Sequence, residues 1–458
     1  MTGTVIDRGR VAEMLAAERE LYGERNPRSR AAAAEGAAHL FGGVPMTWMA
    51  KAPGGFPLVH AEAHGSRVVD LDGHELVDFC LGDTGAMAGH SPPATVAAVV
   101  HRYAEAGGAT TMMPTEDGAV VAAELARRFG LPTWSFSLTA TDANRWAIRL
   151  ARAITGRPRI LVHSWCYHGS VDETFIVLDE SGRPAPRPGG VGAPWDVTAT
   201  TRVVEYNDLE GLERELAHGD VAAVLMEPAL TNMGIVRPEP GYLDGVRALA
   251  TAAGALWIID ETHTLSAGPG GCTAAWSLAP DIVTLGKAIG GGVPIGAYGL
   301  SAAVREQIAA RPELDLVDTG GVGGTLAGNA LSLAAARATL TEVLTAEAFG
   351  PMSDVCTRYT AGVQDLIDHH GLPWSIAQLG ARAEYRFCAP APRDGGESHR
   401  AGDPELEDLL HLYLVNRGIL LTPFHNMALM APTTTEADVD AHLAVLAEAV
   451  DALLNSVG

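Results

Sequence analysis

The chain has 458 residues, enough for two domains with a substantial core, and a formal net charge of −23 at pH 7. Its hydrophobic and charged fractions, 47% and 19%, are ordinary for a soluble globular protein. The negative charge argues against nucleic acid or an anionic membrane as a partner, because both select basic surfaces.

The first part of the chain predicts an amphipathic helix. Val11, Met14, Leu15 and Leu21 recur at helical spacing, and a break follows at Asn26. Acidic residues run through this segment, which therefore lacks the apolar core of a secretory signal, and no apolar run in the chain is long enough for a membrane span. The five cysteines are scattered without a C-x-x-C pair. This pattern predicts reduced thiols, no metal site and a cytoplasmic protein.

A loop and a hairpin come next. Residues 43–48 contain glycine and proline and are expected to form the loop. Apolar residues alternate through residues 66–79 around Asp72-Gly73, a dipeptide typical of tight hairpin turns. A glycine-rich loop at 82–90 follows the hairpin.

Strands and helices then alternate, as in a parallel sheet covered by helices. Residues 134–138 predict a short strand, and residues 139–144 form a turn into a helix that ends near Gly156. Such a strand–turn–helix unit directs free backbone N–H groups and a helix dipole toward an anion; an ordinary capped helix is the alternative explanation. Further buried strands are predicted at 160–162 and 221–226.

Two more apolar runs, 256–259 and 282–285, predict buried strands that end in polar side chains. The first run leads to Asp260 and Glu261, and the second leads to Lys287. Ligands of α/β proteins bind at this end of the strands. A lysine and an aspartate placed there suit pyridoxal phosphate, because the amine holds its aldehyde as a Schiff base and the carboxylate keeps its pyridine nitrogen protonated.

The scarcity of lysine strengthens this interpretation. Lys51 and Lys287 are the only lysines of the chain, so almost every basic residue is arginine. A guanidinium stays protonated and forms no Schiff base, which makes a retained lysine informative. Lys51 lies in a loop with no strand to position it. The alternative, that Lys287 is an ordinary surface lysine, is therefore disfavoured.

Together these segments resemble the class-III aminotransferases of fold type I, and among them the members similar to glutamate-1-semialdehyde aminomutase. The resemblance runs from about Gly43 to the C-terminus. It implies an α/β fold whose large domain has a mostly parallel seven-stranded sheet covered by helices, with a smaller α+β domain. The expected divisions are 1–80 for the N-terminal helices and small sheet, 81–339 for the large cofactor-binding domain and 340–458 for the small domain.

The resemblance also implies a pyridoxal 5'-phosphate site with Lys287 and Asp260 as the catalytic residues. By position in the family's motifs, the other expected cofactor contacts are Ala140, Thr141, Tyr167, His168, Glu227, Asn232, His263 and Thr325. In the family the tyrosine ring stacks on the pyridine, and the threonine reaches the phosphate of a neighbouring subunit, so a homodimer with shared active sites is expected. His263 replaces the glutamine or methionine of many relatives and is expected to bond the cofactor's phenolic oxygen.

The expected substrate contacts are Trp48, Arg382 and His425. Relatives that act on acidic or β-amino acids hold the carboxylate with an arginine near the N-terminal loop, but residues 41–64 contain none. Arg382 and His425, with Arg386 as a further choice, are therefore the expected carboxylate ligands. For Trp48, packing under a loop is an equally good explanation.

Transamination between a small-molecule amino donor and a carbonyl acceptor is the expected reaction, because it is the family's commonest chemistry. An aminomutase, which shifts an amino group within one molecule, is the alternative and is favoured by the segment 232–234. A protein that binds the cofactor without catalysis is the third hypothesis.

Overall fold

The computed structural model describes residues 4–192 and 195–454. These residues form two compact units. The first unit contains 4–91, 350–391 and 401–454, and the second contains the described residues between 92 and 349 together with 392–400.

Helices and strands follow one another along the described residues. The helices are α1 Arg8–Arg25, α2 Pro27–Gly36, α3 Pro93–Val100, α4 Glu116–Phe129, α5 Ala140–Thr155, α6 Leu209–Leu216, α7 Tyr242–Ala253, α8 Gly271–Ala275, α9 Ala302–Ala309, α10 Ala330–Ala338, α11 Ala346–His370, α12 Gly395–Arg400, α13 Pro404–Val415 and α14 Glu436–Leu454. The strands are β1 His60–His64, β2 Arg67–Asp70, β3 Glu75–Asp78, β4 Thr133–Ser137, β5 Arg159–His163, β6 Ile176–Leu178, β7 Pro184–Pro186, β8 Thr201–Val204, β9 Val221–Met226, β10 Leu256–Asp260, β11 Ile282–Leu285, β12 Gly296–Leu300, β13 Ser375–Leu379, β14 Arg382–Arg386, β15 Ile419–Leu420 and β16 Met427–Leu429. Across this part of the chain, no helix combines the length and the apolar character that a membrane crossing needs.

The second unit is built on a seven-stranded sheet in the order β4-β12-β11-β10-β9-β5-β8. Only β12 runs antiparallel to its neighbours, and the other pairs are parallel. Every residue of β9, β10 and β11 is buried, which explains their continuous apolar sequences. The predicted mostly parallel seven-stranded sheet is confirmed.

The sheet brings the ends of three strands to one edge. β10 and β11 pair in parallel with Asp260 opposite Thr284, so the two strands end at about the same level of the sheet. β4 is antiparallel to β12, which is antiparallel to β11, so the carboxyl end of β4 lies at this edge too. The polar residues that follow these strands are therefore neighbours.

The first unit joins both ends of the chain in one small sheet. The predicted hairpin is formed by β2 and β3, and β15 adds to it in parallel with β3. Asp72 in the hairpin turn accepts hydrogen bonds from the backbone N–H groups of Arg28 and Ser29, at 2.8 and 3.0 Å, and so holds the start of α2. A second sheet, β13-β14-β16, belongs to the same unit.

The core of the first unit contains an uncharged histidine. His442 is fully buried between the rings of Phe79 and Tyr359, with ring centroids 5.4 and 4.9 Å away. Neither ring nitrogen has a hydrogen-bond partner among the described residues. Burial lowers the pKa of His442 from 6.5 to about 3, with a smaller contribution from His411. His442 therefore stays neutral in the folded chain.

We expect His442→Phe to reduce the acid sensitivity of the fold. Below pH 6.5 the unfolded chain takes up a proton at His442 that the folded chain does not bind, so stability falls as the pH falls toward 3. Between pH 7.5 and 5 this loss amounts to about 2 kcal/mol. Urea unfolding at both pH values should show a loss smaller by that amount in the variant. The exposed His39, changed to Phe, is the control; equal losses in wild type and His442→Phe would contradict the expectation.

Candidate active site

Close packing fixes the backbone on the N-terminal side of Lys287. A Cβ on Gly286 would lie 3.0 Å from both the backbone nitrogen and the Cβ of Ala140, so any side chain there would force Ala140 to shift. Lys287 then has φ +49°, in the left-handed region that non-glycine residues rarely adopt. Such an outlier persists only where the surroundings impose it, and is typical of functional positions. The structure thus places the base of Lys287 beside the start of α5.

The Lys287 amine contacts a histidine. Its Nζ lies 2.5 Å from Nε2 of His263. Both side chains are half-buried. His263 follows β10 and is flanked by Thr262 and Thr264, whose hydroxyl groups bond the carboxylates of the two preceding acidic residues. These bonds on either side hold the His263 backbone in place.

Asp260, at the end of β10, is buried and surrounded by hydrogen-bond donors. One carboxylate oxygen accepts from Asn144 Nδ2 at 2.8 Å and from His168 Nδ1 at 3.0 Å. The other accepts from the backbone N–H and the hydroxyl of Thr262, at 3.0 and 2.6 Å. A buried carboxylate with four donors is held in one orientation and in its ionised form.

The pKa shifts of this pair agree with an ion pair. Burial alone would raise the pKa of Asp260, but hydrogen bonds from His168, Thr262 and Asn144 outweigh it and the net shift is downward. Burial would lower the pKa of His168, yet the Cys166 sulfur and the Asp260 carboxylate bring it well above its ordinary value. Asp260 is therefore an anion at neutral pH.

Helix α5 begins directly after β4 and presents its first turn beside Lys287. Thr139 caps the helix, and its hydroxyl accepts the backbone N–H of Asp142 at 3.2 Å. The first helical residues, Ala140 and Thr141, carry N–H groups that the helix itself does not use. Such a terminus attracts an anion through these groups and through the helix dipole.

The segment after β5 packs on this same turn. The Thr141 hydroxyl accepts the backbone N–H of Ser170 at 3.1 Å. A Cβ on Gly169 would lie 3.0 Å from the Thr141 Cα and closer still to its hydroxyl, so glycine is required there. Tyr167, just before, is half-buried, whereas His168 is buried against Asp260. Tyr167, His168 and Thr141 are thus brought into one cluster with Asp260.

Two further predicted residues follow β9 in this unit. Glu227 is buried and accepts a hydrogen bond from the hydroxyl of Thr231. Asn232 is half-buried and donates through Nδ2 to the backbone oxygen of Trp165 at 3.4 Å. Asn232 therefore contacts the segment that carries Tyr167.

Thr325 stands apart from this cluster within its own chain. It lies on an exposed loop before α10, and Asn329 caps that helix by accepting the N–H of Ser332 at 2.9 Å. In the residues that the structure describes, no hydrogen bond joins Thr325 to Lys287 or Asp260.

The three predicted substrate residues belong to the first unit. Arg382 is fully buried on β14 and donates to the hydroxyl of Thr84. Glu384, two residues along the same face, lies 3.2 Å from Nδ1 of His425. Trp48 is 45% exposed.

The site contains a residue that sequence reasoning missed. Asn144 lies one turn into α5, donates to Asp260, and accepts the hydroxyl of Thr284 at 2.6 Å. It therefore links the helix that starts beside Lys287 to the carboxylate at the end of β10. Its position on the inner side of an amphipathic helix, where apolar residues are expected, was the available signal.

The residues at this edge fit pyridoxal phosphate. The structure supplies an amine on Lys287, an ionised carboxylate on Asp260 and a helix terminus beside them with unused N–H groups. Close backbone approaches at Gly286 and Gly169 pack these elements together. When bound, the cofactor supplies an aldehyde for an amine and a protonated ring that accepts the electrons of a carbanion.

Comparison with known proteins agrees with this site. A family model described as aminotransferase class-III matches residues 48–450. A glutamate-1-semialdehyde 2,1-aminomutase of Desulfitobacterium hafniense strain Y51 is 33% identical over 91% of this chain and 96% of its own. The crystal structure of a glutamate-1-semialdehyde aminomutase from Pseudomonas aeruginosa PAO1 has a TM-score of 0.95 and 47% identity, and covers 98% of this chain and 99% of its own. A lysine-to-alanine variant of that enzyme was solved in complex with PMP.

A transaminase of known structure is also similar, at lower sequence identity. The structure of a β-phenylalanine aminotransferase from Variovorax paradoxus has a TM-score of 0.85 and 28% identity, over 96% of this chain and 97% of its own. The fold, the match to the family model along most of the chain and the lysine–aspartate site lead to one conclusion. The chain belongs to the class-III aminotransferase family of pyridoxal-phosphate enzymes.

Proposed function

We propose that the chain is an aminomutase that moves an amino group between neighbouring carbons of one molecule, with pyridoxal phosphate as cofactor. The observation that carries this proposal is the full-length similarity, at 47% identity, to the aminomutase of P. aeruginosa. The transaminase of V. paradoxus shares 28%. The aminomutase, which the sequence offered as the alternative reaction, is therefore favoured over transamination between separate donor and acceptor molecules. The same fold supports both reactions.

The geometry of the second unit supports the proposed roles. Lys287 attaches the cofactor and moves protons at the reacting carbon, because its amine is held at the sheet edge. Asp260 faces the pyridine nitrogen as an anion, oriented by His168 and Asn144. These two contacts hold the carboxylate in a single orientation, so its negative charge stays directed at the proposed position of the pyridine nitrogen.

The remaining cofactor contacts are proposed around Lys287 and Asp260. The N–H groups of Ala140 and Thr141 receive the phosphate at the start of α5. Tyr167 covers one face of the ring, and Asn232 positions the segment that carries Tyr167 through its bond to Trp165. Glu227, held by Thr231, is proposed as a contact on the basis of its place at the end of β9.

The proposed substrate is a small amino aldehyde that carries a carboxylate, such as glutamate-1-semialdehyde. Arg382 is a buried cation and the proposed partner of the carboxylate. His425, held by Glu384, and Trp48, with its partly exposed ring, are proposed as further substrate contacts.

The test is conversion of glutamate-1-semialdehyde without any amino donor. An aminomutase forms 5-amino-4-oxopentanoate, the isomer with the amino group on the terminal carbon, over many turnovers and with no second product. Product that requires an added amine, accompanied by a stoichiometric amount of the carbonyl compound derived from that amine, would establish transamination instead. Binding of the cofactor without any response to either substrate would support the non-catalytic hypothesis.

We also propose that the chain works as a homodimer in the cytoplasm. Large apolar side chains exposed between residues 100 and 113 support association with a second copy: Val100 is 49% exposed, Tyr103 68%, Met112 91% and Met113 72%. All five cysteines are free, which suits a reducing compartment.

A shared site would explain the exposed position of Thr325. If its hydroxyl bonds the phosphate held by a partner subunit, Thr325→Ala should weaken cofactor retention by about 1–3 kcal/mol, the range for a hydrogen bond to a charged group. Mixing two inactive variants, Lys287→Ala and Thr325→Glu, should restore activity as subunits exchange, because one site of a mixed dimer then carries neither lesion.

The matched control mixes Lys287→Ala with Asp260→Asn. Lys287 and Asp260 belong to the same cluster of one chain, so every site of this mixed dimer is damaged and no activity should return. Subunit exchange demonstrated without recovery in the first mixture would mean that Thr325 does not serve the partner's site.

A further inference from the structure

The contact between His263 and Lys287 is the starting observation. The His263 Nε2 atom lies 2.5 Å from the Lys287 amine, within direct hydrogen-bond reach. Both groups bind protons, and at this distance one of them donates a hydrogen bond to the other: the amine donates to an unprotonated ring nitrogen, or a ring N–H donates to a neutral amine. A proton can therefore pass directly between the two nitrogens.

The structure holds this contact in place from both sides. On one side, the threonines that flank His263 bond Asp260 and Glu261, whose side chains are buried. On the other side, Gly286 is pressed against Ala140 and the Lys287 backbone is in the left-handed region. Because the backbones of both residues are fixed, the two side chains are already positioned for proton transfer.

We propose that His263 is the general base for the Lys287 amine, accepting its proton when it attacks an aldehyde and returning that proton when the amine leaves. This inference rests on the proposed function, since it assigns a task only if Lys287 reacts with the cofactor. It differs from the contact with the phenolic oxygen expected from the family resemblance, because here His263 acts on the lysine.

The proton transfer accompanies a condensation that conserves atoms and electrons. The nitrogen lone pair of Lys287 forms a bond to the aldehyde carbon, and the electrons of the C=O bond move to oxygen. His263 Nε2 takes one proton from the nitrogen and delivers it to that oxygen, which becomes a hydroxyl group. The second N–H proton then passes to the hydroxyl by the same route, so the oxygen leaves as water while the carbon–nitrogen double bond forms. No oxidant or reductant takes part. A lysine in water at neutral pH is mostly protonated, so an adjacent acceptor matters most at this step.

The experiment measures attachment of pyridoxal phosphate to the apo-protein by rapid mixing, and needs no turnover. The absorbance change is followed at increasing cofactor concentration, which separates the half-saturating concentration from the limiting first-order rate. We expect His263→Gln to lower the limiting rate about a hundredfold, the low end for general acid–base catalysis, with half-saturation within about twofold of wild type. Glutamine keeps the size and the hydrogen-bonding capacity but cannot take up the proton.

Rescue separates proton transfer from a structural role. In His263→Gly, added imidazole should raise the limiting rate at least tenfold, and His39→Gln, at an exposed histidine, should behave as wild type. A limiting rate within twofold of wild type in His263→Gln, or a loss that imidazole does not restore in His263→Gly, would overturn the proposal. If wild type forms no absorbance band beyond that of Lys287→Ala, the proposed function fails instead.

Discussion

Lys287→Ala should abolish turnover and still bind pyridoxal phosphate. The Lys287 amine can form a Schiff base with the aldehyde, and the other lysine of the chain, Lys51, belongs to the first unit. The start of α5 and the Asp260 carboxylate are untouched by the change, so non-covalent binding persists at lower affinity. The measurement is turnover of glutamate-1-semialdehyde together with equilibrium binding of the cofactor.

Lys51→Ala is the matched control, since Lys51 is the other lysine of the chain. It lies in the first unit with its amine 5.6 Å from the ring centroid of Phe424. The control should keep covalent attachment of the cofactor. Wild-type turnover in Lys287→Ala, with no added amine, would remove Lys287 from the reaction.

Asp260→Asn should reduce turnover by roughly a thousandfold or more, which corresponds to about 4 kcal/mol. The neutral amide no longer stabilises a protonated pyridine nitrogen, so the ring loses its capacity to accept electrons. Asn144 and His168 lose their charged partner as well, and the orientation of the side chain becomes ambiguous. Cofactor binding should persist, which titration of the apo-variant checks.

The control for this change is Asp281→Asn, the same substitution at the opposite end of the same pair of strands. Asp281 accepts the backbone N–H of Trp257 at 2.8 Å and pairs with Arg247, so it serves the sheet and not the site. It should leave turnover near wild type. A loss below tenfold in Asp260→Asn would mean that Asp260 is not the partner of the pyridine.

The sheet and its functional edge are accessible from the sequence because both depend on local patterns. The buried strands β9 and β11 are predicted with their observed bounds, since each is a continuous apolar run. The apolar runs of β10 and β11 bring Asp260 and Lys287 to one edge, because the two strands pair in parallel. The scarcity of lysine then singles out Lys287.

Contacts between segments far apart in the chain cannot be predicted from local sequence patterns. The pairing of β15 with β3 joins residues more than 300 positions apart, and no local pattern specifies it. Asn144 carries a signal as a polar residue on the inner side of a helix, but an asparagine near a helix start is ordinarily explained by capping. Only the structure shows that it reaches Asp260. The contact of His263 with Lys287 joins residues that follow different strands, and the left-handed backbone of Lys287 has no signature in the sequence.

The most direct test of a cofactor site at Lys287 is to reduce the holo-protein with borohydride and map the modified peptide by mass spectrometry. Because the chain has two lysines, the result has few alternatives. The structure predicts one phosphopyridoxyl group per chain, on the peptide that contains Lys287. Modification confined to Lys51, or a protein that binds the cofactor and shows no modified lysine, would contradict the assignment of Lys287.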